Sequence, residues 1–324
     1  MQHPAKGPET HQELHPEESI VTPELTEREE EEVEQRTSVK AHVVHEAVRR
    51  DGDTEFERSA SALATSGLAA GLSMGFSFIG EGLLRRYLPD APWRPLVAKF
   101  GYSFGFLIVI IGRQQLFTEN TLTAVLPVLA RRNWSSLLRM LRLWAIVLTA
   151  NLAGAHIVAW VLGNTGAFAP ETQNAFARIA RESFAITPGD AVLRGIFAGW
   201  LIAMLVWMRA ASDSGQIPLI VIMTYFVGLG SFTHIIAGSI EVLFLVMTGG
   251  LAWTAYLTHY MLPVLLGNTI GGVSLVAVVN HAQVVAGSPA HRAEPQPRRK
   301  PLKTTKAGVN SPRAPKPPVE SSAE

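Results

Sequence analysis

The chain has 324 residues and a formal net charge of +1, but its charged residues are distributed unevenly. Residues 59–287 contain 13 Lys/Arg and 8 Asp/Glu, whereas residues 1–58 alone contain 16 acidic and 7 basic residues. This pattern predicts a membrane domain, residues 59–287, between two polar tails, and the near-zero total gives no indication of nucleic-acid binding. The absence of cysteine excludes disulfides, thiol chemistry and cysteine-ligated metals.

The N-terminal tail, residues 1–58, contains no apolar core, so we expect the first membrane segment to act as the insertion signal. An acidic run extends from Glu27 to Glu34, and apolar residues follow at helical spacing between Val39 and Val48. Two interpretations remain open for this stretch. It forms a short amphipathic helix at the membrane surface, or it is a solvated charged segment.

The membrane domain contains six apolar blocks, each of a length suited to crossing a bilayer. They comprise residues 60–84, 96–129, 143–162, 191–208, 217–247 and 251–286. The sequence therefore predicts an all-α membrane protein with six transmembrane helices and both termini on one side. The loops on the tail side are richer in arginine and lysine than the opposite loops, so the positive-inside rule places both tails in the cytoplasm.

The second and fifth blocks are each interrupted by polar residues. Residues 114–121 read Gln-Gln-Leu-Phe-Thr-Glu-Asn-Thr, and residues 232–238 read Phe-Thr-His-Ile-Ile-Ala-Gly after a glycine-rich break. Polar side chains at this depth are expected to line a protein-walled pathway, because hydrocarbon cannot satisfy them. Three segments followed by three more, with the second and fifth helices broken, predict an inverted 3+3 repeat of the channel or transporter type.

The C-terminal tail, residues 288–324, contains eight prolines and eight Lys/Arg in 37 residues. This composition cannot form an apolar core, so we expect a disordered, basic cytoplasmic tail with weak attraction to anionic lipid.

Three stretches resemble the formate/nitrite transporter family, in the same order and with similar spacing. They are 116–121 (Leu-Phe-Thr-Glu-Asn-Thr), 232–237 (Phe-Thr-His-Ile-Ile-Ala) and 262–272 (Leu-Pro-Val-Leu-Leu-Gly-Asn-Thr-Ile-Gly-Gly), and residues 194–208 resemble the fourth membrane segment of that family. The resemblance implies an aquaporin-like protomer in the cell inner membrane and a homopentamer with one pore per protomer. It also implies passage of small monovalent anions such as formate or nitrite, or of their conjugate acids.

The chain departs from the family pattern at four places. Gln115 stands where the family carries an acidic residue, and Gly199 and Gly238 stand where it carries asparagines. A lysine before the fourth segment is also missing, with Arg181 and Glu182 nearest to its position. These departures indicate a divergent inner-membrane branch of the family and leave the substrate open.

His234 matches the central histidine of the family. An ionisable group at mid-depth costs roughly 3 kcal/mol or more unless it serves a pathway. We therefore predict that His234 shares or donates a proton to the arriving anion, which lowers the cost of desolvating that anion. His156, His259 and His281 fall outside the matched motifs and are expected to bond neighbouring helices.

Six further residues are predicted to line the substrate pathway: Leu116, Phe117, Thr118, Asn120, Phe232 and Asn268. Thr118 and Asn120 are cap residues of a half-helix, pathway residues, or both. Leu116 and Phe117 are ordinary packing residues or the apolar constriction, and the resemblance favours the constriction. Phe232 is expected to help strip water from the anion, and Asn268 to satisfy polar atoms along the path.

Arg113, Glu119 and Glu241 are the unusual charged residues of the membrane domain. Glu119 is expected to form an ion pair with Arg113 or with a neighbouring protomer. Glu241 lies seven residues, or two helical turns, after His234. On one helix face, this carboxylate would stabilise the protonated histidine or pair across a subunit interface.

Together these features predict a proton-linked channel or transporter for small monovalent anions, without a cofactor, a metal or a catalytic residue set. One alternative is a pore for a neutral or weakly acidic solute, such as a short monocarboxylic acid or hydrogen sulfide. The other is a non-transport membrane sensor or an intramembrane enzyme, although the sequence contains no His-Glu-x-x-His motif.

Overall fold

The computed structural model describes residues 26, 28–29, 39–212, 214–278 and 281–282. All regular secondary structure in these residues is helical. The basic tail predicted at 288–324, and all of the acidic run at 27–34 except residues 28 and 29, lie outside the described residues.

Ten helices follow the N-terminal helix α1 (Ala41–Glu57) in the described part of the chain. They are α2 (Ala60–Tyr87), α3 (Arg94–Ile111), α4 (Phe117–Thr123), α5 (Val125–Arg131), α6 (Trp134–Asn164), α7 (Pro170–Phe184), α8 (Pro188–Ala211), α9 (Gln216–Leu229), α10 (Ala237–Met247) and α11 (residues 253–278). Of the described helices, α2, α3, α6 and α8 are long and apolar enough to cross a membrane, and α9 and α10 are shorter apolar helices. α11 contains two π-helical stretches, Tyr256–Met261 and Gly271–Val278.

Local sequence signals mark where the long helices begin. Ser59 caps α2 by accepting a hydrogen bond from the Ala62 amide, and Asn133 caps α6 in the same way. Thr187 caps α8 and is followed by proline at the first helical position. Each cap satisfies one of the backbone N–H groups that a helix start leaves without a partner.

Helix α1 packs on the bundle through an apolar face rather than standing free. Val44, Val48 and Phe56 are buried, and the opposite face carries the Arg49–Glu46 and Arg49–Asp53 ion pairs. Hydrogen bonds from Arg49 and Arg50 lower the pKa of Glu46 to about 2. Val44 and Val48 thus cover protein surface in this structure, whereas Val39 and Val43 are exposed.

Gly52 explains how closely α1 approaches α4. A Cβ atom added at Gly52 would lie 2.0 Å from the Thr123 carbonyl oxygen, so a side chain at this position would push the helices apart. At the neighbouring position, Asp53 forms an ion pair with Arg131 of α5 at 2.8 Å. The contact therefore fixes α1 beside the first helix break.

The two breaks share one backbone feature. Arg113 (φ 52°) follows α3, and Ser231 (φ 49°) follows α9. Both adopt left-handed backbone, which costs non-glycine residues about 1–2 kcal/mol. Each lies three residues before the centre of its break, at Leu116 and His234 respectively. The polar interruptions seen in the sequence are therefore tight backbone turns, after which α4 and α10 begin.

Two helix pairs hold these breaks, α2 with α6 and α8 with α11. Gly71 of α2 lies against the Asn151 carbonyl of α6, and Gly199 of α8 lies against the Asn268 carbonyl of α11. At each glycine an added Cβ would be 2.2 Å from the facing carbonyl oxygen. Small residues let helix backbones approach this closely in membrane proteins.

Candidate functional site

His234 lies at the centre of the second break and is 1% exposed. Its Nε2 is 2.8 Å from the Thr118 hydroxyl of α4. Its Nδ1 accepts the backbone N–H groups of Ile236 at 3.3 Å and Ala237 at 3.2 Å. Since Nδ1 accepts, the hydrogen-bond network assigns a neutral imidazole that carries its proton on Nε2 and donates it to Thr118. His234 thus links the two breaks and caps α10.

Asn151 of α6 holds the backbone of the first break. Its Oδ1 accepts the Phe117 N–H at 2.9 Å, and its Nδ2 donates to the carbonyls of Gln115 at 2.8 Å and Gly67 at 2.7 Å. This side chain therefore caps α4. Neither Thr118 nor Asn120 does so, because Thr118 is bonded to His234 and the Asn120 amide donates to Gln115 Oε1 at 3.0 Å.

Asn268 of α11 repeats this arrangement at the second break. Its Oδ1 accepts the Ile235 N–H at 2.8 Å, and its Nδ2 donates to the carbonyls of Thr233 at 2.8 Å and Gly195 at 2.9 Å. Both amide protons are engaged, and Asn268 lines neither cavity described below. Its observed contacts therefore fix the backbone around His234.

A cavity of about 180 Å³, the Glu119 cavity, leads to the first break. Leu116 lines this cavity and is fully buried, and Asp51 and Glu55 of α1 form part of its wall. The structure pairs Glu119 with Arg209 of α8 at 3.3 Å rather than with Arg113. Arg113 also lines this cavity, so the cavity presents two guanidinium groups beside the break.

A second cavity of about 260 Å³, the Glu241 cavity, leads to His234 from the other direction. Three cationic residues line it: Arg85, Lys99 and Arg194. Glu241 shares the cavity with His234 and accepts a hydrogen bond from Ser183 of α7, although His234 precedes the first residue of α10 and the two residues do not lie on one continuous helix. Lys99 and Arg85 both pair with the buried Glu81.

The barrier between these cavities is formed by fully buried groups. Leu116 faces one cavity and His234 faces the other. The ring of Phe106 packs edge-on against the imidazole at 5.0 Å between centroids and is itself 0% exposed. A solute moving from one cavity to the other would have to lose its water at this point.

The two other aromatic residues assigned to the pathway occupy different places. Phe117 points away from both cavities and packs edge-on against Trp144 of α6 at 5.7 Å. Phe232 lines the Glu241 cavity and stacks on Phe197 of α8 at 5.2 Å. The aromatic ring beside His234 is therefore that of Phe106, and Phe117 packs against α6.

The structure also shows what surrounds the positions at which the chain departs from the family pattern. Gly199 is packed against the Asn268 backbone, where no side chain fits. The space at Gly238 is filled by the Tyr260 hydroxyl, which lies 1.7 Å from where a Cβ would stand. Glu182 pairs with Arg85, and Arg181 is exposed.

Sequence reasoning missed Phe106, Asn151, Arg209 and Tyr260. One signal for Asn151 was present: an Asn-x₂-Gly pattern occurs at 151–154 and again at 268–271, each facing a Gly-x₃-Gly pattern at 67–71 or 195–199. The other three lie within apolar helices without a motif, and only the tertiary structure brings them to the breaks.

The helices and the paired breaks define a multi-pass, all-helical membrane protein. Residues 42–282 match the family model described as formate/nitrite transporter. The inner membrane protein YfdC of Escherichia coli (strain K12) is 43% identical over 251 residues, covering 78% of this chain and 81% of that protein. The formate channel FocA of Haemophilus influenzae is 26% identical, covering 66% of this chain and 83% of that protein.

A solved structure described as a pentameric formate channel with formate bound has the same fold. Its TM-score is 0.58 at 21% identity, and the alignment covers 73% of this chain and 99% of that chain. The chain belongs to the formate/nitrite transporter family, and the resemblance found in its sequence is confirmed. It is therefore a transport protein rather than an enzyme.

Proposed function

We propose that the protein is a channel or transporter for small monovalent anions, with His234 sharing a proton with the permeating species. The observation that carries this proposal is the buried His234–Thr118 contact, which lies where the two breaks meet and separates two cavities. A bare anion pays a large desolvation cost at such a point, and its conjugate acid pays far less. A histidine at the barrier reduces that cost by donating a hydrogen bond or a proton.

The proposed path is built from an inverted repeat with six crossings. Equivalent positions support this reading: Gly67 and Gly195, Gly71 and Gly199, Arg113 and Ser231, Leu116 and His234, Asn151 and Asn268. In each half the asparagine donates to the carbonyl of the first glycine, and the second glycine lies against the asparagine's own carbonyl. In such repeats the substrate site lies where the discontinuous helices meet.

The charged residues around the Glu241 cavity favour entry of an anion. Arg85 and Lys99 are balanced by Glu81 and Glu182, whereas Arg194 forms no ion pair among the described residues. The backbone N–H groups at the start of α10 add positive partial charge near His234. In the proposed pathway these cations take the place of the missing lysine.

The resting hydrogen bonds limit how His234 exchanges a proton. Donation from Nε2 alone would leave an imidazolate, so full transfer requires a second proton to reach Nδ1 first. That proton would displace the contacts with the Ile236 and Ala237 N–H groups. Transport is therefore expected to rise as pH falls, because acid populates both the protonated histidine and the protonated permeant.

A second candidate, within transport, is a pore for a neutral weak acid or a similar small solute. The neutral form of His234 and the apolar contacts of Phe106 and Leu116 favour it, because they offer no fixed charge at the barrier. Flux of a neutral species would not respond to membrane potential, whereas anion flux would. Potential clamped with valinomycin and potassium distinguishes the two candidates.

The assembly is proposed to be a homopentamer in the cell inner membrane, with both termini in the cytoplasm. The support is the pentameric formate channel and the inner membrane protein that this chain resembles. Within the protomer, Gly67 and Gly71 contact α6, so these small residues provide no argument for contacts between protomers. Native mass spectrometry is expected to detect five copies, and a stable monomer as the sole species would contradict the assembly.

The direct test of transport is flux in proteoliposomes. A panel of formate, nitrite, acetate, lactate, hydrosulfide and chloride, measured across about pH 4–8, is expected to show saturable passage of at least one small monovalent anion. Empty liposomes prepared in parallel serve as the control. No passage of any of these solutes would contradict the proposal and favour a non-transport role, such as sensing.

A further inference from the structure

The π-helical stretch Tyr256–Met261 of α11 directs two tyrosine hydroxyls to neighbouring residues of α10. Tyr256 Oη donates to the Ser239 hydroxyl at 3.0 Å. Tyr260 Oη lies over Gly238, one residue earlier, where an added Cβ would be only 1.7 Å away. Single π-helical turns often occur at functional sites because they shift the side chains of one helical turn.

The two hydroxyls differ in their hydrogen bonding. Both tyrosines are 1% exposed, yet only Tyr256 has a hydrogen-bond partner among the described residues. A buried phenol O–H usually finds a partner, as Tyr256 does with Ser239. Tyr260, unlike Tyr256, lines the Glu241 cavity. Its O–H is therefore available to donate a hydrogen bond to a molecule in that cavity.

The Tyr260 hydroxyl lies over Gly238, which is close along the chain to His234 at the barrier. The Gly238 N–H donates to the His234 carbonyl at 2.9 Å, so Gly238 is one helical turn from His234. Tyr260 and His234 line the same cavity. A solute that reaches the imidazole from this cavity passes the Tyr260 hydroxyl, and any side chain at Gly238 would displace that hydroxyl.

We propose that Tyr260 donates a hydrogen bond to an oxygen atom of the permeant on the Glu241 side of His234, and so selects small oxyanions over solutes that lack an oxygen acceptor. Gly238 acts as a positioning residue for that hydroxyl. This inference rests on the proposed function, because it requires the permeant to reach His234. Hydrogen bonds to charged oxygens are about twice as strong as neutral ones, so loss of the donor is expected to cost formate about tenfold in flux.

The test compares Tyr260→Phe with the matched control Tyr256→Phe in proteoliposomes. Tyr260→Phe is expected to lower formate flux about tenfold while hydrosulfide flux changes less than about twofold. Tyr256→Phe is expected to keep the wild-type ratio of formate to hydrosulfide flux, because its hydroxyl bonds only Ser239. An unchanged ratio in Tyr260→Phe, or an equal loss for both solutes, would overturn the proposal.

A second variant, at Gly238, tests whether this glycine acts by positioning the Tyr260 hydroxyl. Gly238→Ala is expected to displace the hydroxyl and lower the same flux ratio, and Gly238→Ala with Tyr260→Phe is expected to lower it no further. If the two substitutions together lower the flux ratio by the product of their separate effects, Gly238 and Tyr260 act independently. That outcome would contradict the positioning role of Gly238.

If the wild type passes no solute, the proposed function fails, and the Tyr260 site is judged by binding alone. Formate is then expected to raise the melting temperature of the wild type and of Tyr256→Phe, but not of Tyr260→Phe. Equal shifts in all three proteins would overturn the site.

Discussion

The two helix breaks have closely similar backbones and different chemistry. Asn151 and Asn268 form the same three hydrogen bonds to their breaks, and Arg113 and Ser231 adopt the same left-handed turn. The central residue, however, is Leu116 in the first break and His234 in the second. The scaffold is thus duplicated, whereas the ionisable group is present once.

The cavities that lead to the breaks differ as well. The Glu119 cavity is partly walled by the acidic residues Asp51 and Glu55 of α1, and its Glu119 is paired with Arg209. The Glu241 cavity is lined by three cations and two carboxylates, Glu182 and Glu241, whereas the Glu119 cavity is lined by two arginines and three carboxylates. Anions are therefore expected to meet more favourable charge on the His234 side.

The largest loss of stability is expected at the two asparagines that hold the breaks. Asn151→Leu and Asn268→Leu each remove three hydrogen bonds from buried backbone groups, so each should lower the free energy of unfolding by about 3 kcal/mol or more. Thermal unfolding of the detergent-solubilised protein measures this loss, with exposed Asn164→Leu as the control. If only one of the two substitutions is destabilising, the breaks are not equivalent.

The next effect concerns the helix contacts that support each break. Gly71→Ala and Gly199→Ala force a methyl group against a facing carbonyl oxygen and should each destabilise the protein by about 1–3 kcal/mol. Gly189→Ala, whose added Cβ meets no atom closer than 3.9 Å, is the matched control within a helix. Wild-type melting temperatures in both variants would show that the close approach is not required.

A smaller effect is expected at the bond that joins the breaks. Thr118→Val removes the acceptor for the His234 Nε2–H and should lower flux about fivefold to tenfold, since one buried hydrogen bond is lost. Thr118→Ser keeps the hydroxyl and should remain within about twofold of wild type. Initial rates of formate flux at one pH distinguish the two variants. If serine fails to restore transport, the hydroxyl is not the functional group.

The smallest effect is expected at α1, whose residues line the Glu119 cavity but not the Glu241 cavity. Burial, and secondly the neighbouring His281, lower the pKa of His45 below its ordinary value of 6.5. The undocked helix therefore binds a proton more readily, so docking is strongest above about pH 6.5 and weakens as pH falls. Hydrogen exchange of residues 41–57 should become a few-fold faster between pH 7 and pH 5.5, after correction for the intrinsic rate. His45→Gln should remove this dependence, and an unchanged response in that variant would exclude His45 as its source.

The sequence predicted much of the fold, and the reasons are physical. Apolar length and polar interruptions report directly on crossings and breaks, because hydrocarbon tolerates neither charges nor free backbone groups. Side-chain partners were harder to predict. Glu119 was expected to pair with its sequence neighbour Arg113 or with another protomer, whereas α8 brings Arg209 to it. Phe117 was assigned to the constriction, but the register of α4 turns it towards Trp144.

In helix α1, too, the local pattern could be predicted from the sequence but the tertiary contacts could not. Its apolar spacing between Val39 and Val48 was visible in the sequence, but spacing alone does not distinguish membrane lipid from protein as the partner. The contact at Gly52 and the ion pair between Asp53 and Arg131 depend on the positions of α4 and α5. No local pattern encodes those positions.

The most direct test of the central claim is the pH profile of anion flux in His234→Asn. The neutral asparagine retains a polar group at the barrier but cannot take up a proton, so the account predicts an intact assembly whose flux no longer rises as pH falls. His156→Ala, which loses a bond to the Leu152 carbonyl and ring contacts with Trp253 and Tyr256, should keep the wild-type profile. A full wild-type pH profile in His234→Asn would contradict the proton-sharing role and leave His234 as a residue that caps α10 and holds the two breaks together.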